Sequence, residues 1–175
     1  MRTTVILIIV LLSGYTGFTQ SQAVLDFHDK YKSSGKYLSM RIDGGILNLL
    51  SNIETNDEEA QDMLDAISKI EAINVHSIDR EEDEFDDGDV AKFKKQVHKE
   101  KYEELMIVRD GETDVDFLIK EKKGKISELL LVVDEPDEFV IVSISGEIDL
   151  ATIAKITDNL DVKGSKHLEK LEDEQ

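Results

Sequence analysis

The chain has 175 residues, with 39 acidic and 21 basic side chains, a net charge of −18 and no cysteine. That charge repels nucleic-acid phosphates and anionic lipid headgroups. The missing thiol excludes disulfides, thiol nucleophiles and cysteine-ligated metal sites, so stability must come from packing alone.

The first element is a leader. Met1-Arg2 supplies a short positive start, Val5 to Leu12 is an unbroken apolar run, and small residues stand at Gly17 and Thr19. This is the pattern of a secretory signal peptide over residues 1–19, cut between Thr19 and Gln20. The apolar run falls short of the ~20 residues a spanning helix needs. With no cysteine at the cut to carry a lipid, the expected product is a free protein with no membrane anchor, periplasmic or secreted. Its remaining length, about 155 residues, suits one domain with a genuine core.

Residues 21 to 32 read as a short amphipathic helix with Val24, Phe27 and Tyr31 along one stripe. Ser33-Ser34-Gly35 breaks it, and the alternation of Leu38, Met40 and Ile42 predicts a strand. Asp43-Gly44-Gly45 turns into an apolar helix from Ile46 to about Ile53. Asn56-Asp57 can cap a further helix reaching about Lys69, with Ala60, Met63, Leu64, Ile67 and Ile70 as its core stripe. Ala72 to Ile78 is a second strand.

From Asp79 to Asp89 nearly every residue is acidic, and five lysines follow between Lys92 and Lys101. The run fails as an EF-hand loop: with Gly88 at the invariant glycine, Phe85 occupies a ligand position and Lys94 the closing glutamate. A helix start explains it better. Acidic residues ahead of Val90 and lysines near Lys99 complement the two ends of a helix dipole, with Val90, Phe93 and Val97 facing inward.

Four strands come next: Leu105 to Val108, Thr113 to Glu121, Ile126 to Val133 and Phe139 to Ser145. Asp110-Gly111 between the first two is a strong hairpin signal, since such turns need positive φ at both central residues. Lys122-Lys123-Gly124 and Asp134-Glu135-Pro136-Asp137 make the other turns, giving an antiparallel meander. After Ser145-Gly146, Asp149 is placed to cap a last helix, Leu150 to about Asn159, with Ile148 and Ile153 forming a hydrophobic staple. His167 to Gln175 lies in a charged tail. The fold class is therefore α+β: a four-strand meander over about 104–145, one or two N-terminal strands, and helices packed on one face. The domain spans 20–165 and the tail 166–175.

The stretch Tyr102-Glu103-Glu104-Leu105-Met106, Val108-Arg109-Asp110-Gly111, Val115 to Lys120, Gly124 to Val132, and Ser143 to Leu150 followed by Ile153-Ala154-Lys155-Ile156 resembles the family called Domain of Unknown Function 4252. The resemblance implies export, as is typical of its members in Bacteroidota-type bacteria. It implies no activity, substrate or site residue.

The four histidines, His28, His76, His98 and His167, stand in no paired metal spacing, and nucleophile-elbow, P-loop and Rossmann glycine patterns are missing. Asp114 and Asp116 share a strand face and are the carboxylate pair open to general acid–base work, although the polar face of a half-exposed strand looks the same. Tyr37, Tyr102 and Phe139 are candidates to line a groove, or simply to pack. No catalytic, cofactor or metal residue is assigned, and no cofactor is expected. The leading expectation is a non-enzymatic interaction or structural module of the cell envelope with a protein partner. The alternative is a small-molecule or lipid binder with a pocket between helices and sheet, suggested by the nearly all-apolar helix 46–53. A hydrolase stands third.

Overall fold

The computed structural model describes residues 21–80, 85–149 and 153. The leader, the helix over 150–159 except Ile153, and the charged tail therefore lie outside the described residues. Ten elements run in the order α1 (Gln22–Tyr31), β1 (Tyr37–Asp43), α2 (Gly44–Ser51), α3 (Glu58–Ser68), β2 (Ile70–Asp79), α4 (Asp87–Lys99), β3 (Glu103–Asp110), β4 (Thr113–Lys122), β5 (Lys125–Asp134) and β6 (Glu138–Ile148). The strands form one antiparallel sheet in the order β1-β2-β6-β5-β4-β3. The meander β3 to β6 is as the alternation predicts. The N-terminal strands extend it by pairing β2 with β6, and α4 carries the chain from β2 to the far edge at β3.

Two hairpins show the turn chemistry differently from its reading in sequence. Asp110 pairs with Thr113, so the two-residue loop is Gly111-Glu112, and of Asp110 and Gly111 only Gly111 has positive φ (67°). Glycine at the first central position is the requirement of a type II′ turn. The pair with both φ positive, the type I′ signature, is Lys123 (57°) and Gly124 (77°), between paired Lys122 and Lys125.

Because successive side chains of a strand point to opposite faces, the sheet carries two cores. On one face α1 and α4 pack Val24, Phe27, Tyr31, Val90, Phe93 and Val97 against Ile78, Leu118, Leu130, Val132, Phe139 and Ile141. Phe139 is fully buried at its centre, with ring centroids 5.4 Å from Phe27 and 5.9 Å from Phe93. On the other face Phe117, Ile119, Leu129, Leu131 and Ile144 meet Leu47 of α2, with Ile67 of α3 at the margin. The helices are thus divided between two faces rather than gathered on one. A sheet whose central strands are apolar on both sides, such as Asp116 to Ile119 and Leu129 to Val132, must be covered on both. Ile148 and Ile153 join this second core, and Ile153 N–H donates to Asp149 O at 3.1 Å.

Helix α3 is shallower than its periodicity suggests. Met63 is exposed, Leu64 and Ile67 are half-buried, and Ile70 belongs to β2. The acidic segment starts α4 as expected: Asp86 accepts from Gly88 N at 2.8 Å, Asp87 and Asp89 sit in the first turn, and His98 and Lys99 in the last.

Two glycines are dictated by close approach. A Cβ on Gly44 would lie 2.8 Å from Glu71 O, so the first turn of α2 can sit against β2 only without a side chain. Gly146 has φ +146°, and a Cβ there would come 2.3 Å from Lys69 O.

Candidate functional site

Three polar clusters lie on the α1/α4 face. The first contains the sequence-selected carboxylates. Asp116 faces α4, where Lys94 Nζ lies 3.0 Å from its Oδ2, and Arg109 Nη2 lies 2.6 Å from its Oδ1. The same guanidinium holds Asp114 at 3.2 Å through Nε. Lys94 also reaches Asp134 at 3.4 Å, and Arg80 bridges Asp134 to Asp87. Both members of the Asp114–Asp116 pair are therefore neutralised by cations. The network fastens α4 across β4 and β5.

The second cluster joins residues far apart in sequence. Tyr37 Oη lies 3.0 Å from His28 Nδ1 and 2.6 Å from His76 Nδ1. The hydroxyl has a single proton, so it donates to one ring and accepts from the other. Register explains the assembly: Tyr37 pairs with Ile78 on β1–β2, placing its ring on the face that His76 shares, while α1 brings His28 from above. His76 is only 5% exposed, and burial, followed by the charge of His28, pulls its pKa down to about 4. Burial pushes Tyr37 up to about 12. His76 is thus a neutral, inward-facing imidazole, and among the described residues its Nε2 has no hydrogen-bond partner.

The third cluster is Glu128 of β5 with Tyr102 and Ser143. All three are buried, and Ser143 Oγ donates to Glu128 Oε1 at 3.0 Å. Burial raises the Glu128 pKa against the opposing pull of Tyr102, Ser143 and Lys120. Tyr102 is raised in turn, by its own burial and then by the neighbouring carboxylate. Nearby, Glu100 caps α1 from a distance, its Oε1 accepting from Ala23 N at 2.8 Å and its Oε2 from Gln22 N at 3.0 Å. Sequence reading passed over Glu128, although its parity with Leu130 and Val132 aims it at the core. His76 was noted only for lacking a metal spacing, because its partners are 39 and 48 residues away.

Other sequence candidates are placed plainly. Tyr102 and Phe139 are buried in the first core and Tyr37 packs at its margin, so the three aromatics fill space rather than line a groove. His98 is exposed, 3.6 Å from Glu104, and His167 lies outside the described residues. Among the described residues no group of three His, Asp or Glu is arranged to hold a metal, and no helix is long and apolar enough to cross a membrane. The crevice between α1 and α4, lined by Phe27, Tyr31, Asp89 and Phe93, encloses about 40 Å³. That is about an order of magnitude below the volumes of small-molecule sites, whereas an open recess lined by Glu71, Lys122, Lys125 and Glu147 measures about 420 Å³.

The most unusual surface lies elsewhere. Helix α2 follows β1 without a loop and buries only Leu47 among its side chains. Ile46 is 57% exposed and Leu49 74%, with Leu50 and Ile53 also exposed. On β1, Leu38 and Met40 are exposed on the face that Ile42 shares with the second core, the face that α2 covers. A nearly all-apolar helix suits a pocket wall and a buried element equally well. Here α3 packs beside it, yet Ile46, Leu49 and Leu50 stay exposed. Large apolar side chains left exposed in such number on neighbouring elements mark a candidate binding surface.

The family model described as a domain of unknown function (DUF4252) matches residues 31–156, from the end of α1 through the whole sheet. No curated protein and no solved structure matches the chain. With well over half its length matched, the chain belongs to the DUF4252 family.

Proposed function

We propose that this protein is an exported, non-enzymatic interaction module of the cell envelope or exterior, and that it binds a protein partner through the β1–α2 surface. The observation that carries the reading is the set of exposed large apolar side chains, Leu38 and Met40 on β1, Ile46, Leu49 and Leu50 on α2, and Ile53 just beyond it. Apolar side chains of this size, exposed together, favour burial against a partner by roughly 25 cal/mol for each Å² removed from water. The apolar leader over residues 5–12 supports export. The ion-paired state of Asp114 and Asp116 supports a structural rather than a catalytic use of the most suggestive carboxylates.

The test is a paired capture from envelope extract, with the wild-type protein and Leu49→Lys as baits. Recovery of a partner by the wild type and its loss with the variant is expected. Equal recovery by both baits, or recovery of nothing by either, would overturn the assignment of this surface.

A further inference from the structure

We infer that the occupant of the β1–α2 surface is a second copy of this chain, joined edge to edge through β1; this rests on the reading of that surface as a binding face. Three observations select a second copy.

The first is the open edge. Strand β1 ends the sheet, so alternate backbone N–H and C=O groups along Tyr37–Asp43 point away from β2. Antiparallel pairing of β1 with itself is isologous, and a two-fold axis through Met40 is consistent with the strand's parity. Met40 then faces Met40 of the other copy, Leu38 faces Ile42, and Ser39 faces Arg41. Leu38, Met40 and Ile42 make a continuous apolar floor. The two α2 helices flank that floor on the same side, since the axis is normal to the sheet.

The second is charge. The chain carries −18, so two copies repel over most of their surfaces. From Tyr37 to Ile53, however, the only charges are Arg41 and Asp43, and these pair with each other at 2.8 Å. The opposite edge does not share this property: β3 carries Glu103, Glu104, Arg109 and Asp110. The β1 edge is where two such acidic molecules can meet with least repulsion.

The third is area. Six side chains left about half exposed offer on the order of 600 Å² of apolar surface per copy, against about 800 Å² per partner in a standard interface. The backbone of β1 supplies much of the remainder.

The chain has no cysteine, which makes a direct test available. Met40→Cys introduces a single thiol at the axis. Directly opposed residues of an antiparallel pair have Cα atoms about 4.5–5.5 Å apart, within the range a disulfide bridges. Mild oxidation of the Met40→Cys protein at tens of micromolar should give a covalent dimer. The same change at exposed Lys95 of α4 should give none. Sedimentation of the unmodified protein should show a species of twice the monomer mass that strengthens with added salt, as screening relieves the repulsion. Met40→Lys should weaken it at least tenfold with no change in far-ultraviolet circular dichroism. A monomer at every concentration, or equal cross-linking at positions 40 and 95, would overturn the second copy. If a different protein is at the same time captured in a Leu49-dependent way, the binding face stands and only its occupant is wrong.

Discussion

Replacing His76 by glutamine should remove a specific part of the protein's acid sensitivity. The folded-state pKa is depressed to about 4, because the ring is buried and His28 stands close by. In the unfolded chain it returns to about 6.5. Between those values the unfolded state binds a proton that the folded state refuses, so stability falls as pH falls from about 6.5 toward 4. A difference of this size corresponds to about 3 kcal/mol of stability lost across the window. Glu128 works in the opposite sense. Its folded pKa is raised, so it withdraws stability as pH rises above the ordinary carboxylate value. Asp26, held low first by a hydrogen bond from Gln96, and Asp29, held low first by Lys32, act below the window. Glu128 is common to both proteins, so the difference between wild type and His76→Gln isolates the imidazole. Urea unfolding at half-unit steps from pH 7.5 to 4 measures it. The wild type should lose about 2–3 kcal/mol more than the variant over that range. Parallel curves would refute the buried neutral histidine.

Three further perturbations address the rest of the architecture. Glu128→Gln should raise the thermal midpoint at pH 8, where the native carboxyl is driven to carry a desolvated charge. The gain should shrink at pH 5, and an unchanged midpoint at both values would contradict the raised pKa. Gly146→Ala should cost about 3 kcal/mol in chemical denaturation, because the added Cβ meets Lys69 O at 2.3 Å with φ at +146°. A loss below about 0.5 kcal/mol would show that the β2–β6 crossing is looser than described. Phe139→Ala removes the fully buried ring between Phe27 and Phe93 and should cost about 3–5 kcal/mol by the same assay.

The sheet was legible because its signals are local. Alternation in Thr113–Lys122 and turn residues at Gly111 and Gly124 specify hairpins whose partners lie next to them in sequence. The pairing of β2 with β6 was not legible, since it joins segments some seventy residues apart and nothing in either names the other. The same holds for the candidate sites. His76, Tyr37 and His28 meet only because strand register and the placement of α1 bring them together, and Glu128 looks like any charged residue until its parity with Leu130 is set by the sheet. Helix α2 shows a different ambiguity. Its near-continuous apolar composition reads as burial, and composition carries no information about which layer stands over a helix. That ambiguity separates the pocket-lining reading of residues 46–53 from the surface actually presented.

The proposed role of that surface is tested most directly by a photo-reactive residue placed at Leu49, the most exposed large apolar side chain of α2, in cells producing the full chain. Irradiation should yield one discrete protein adduct from position 49 and none from exposed Lys95 on α4. No adduct at position 49, or equal labelling from both positions, would contradict a binding face on β1 and α2.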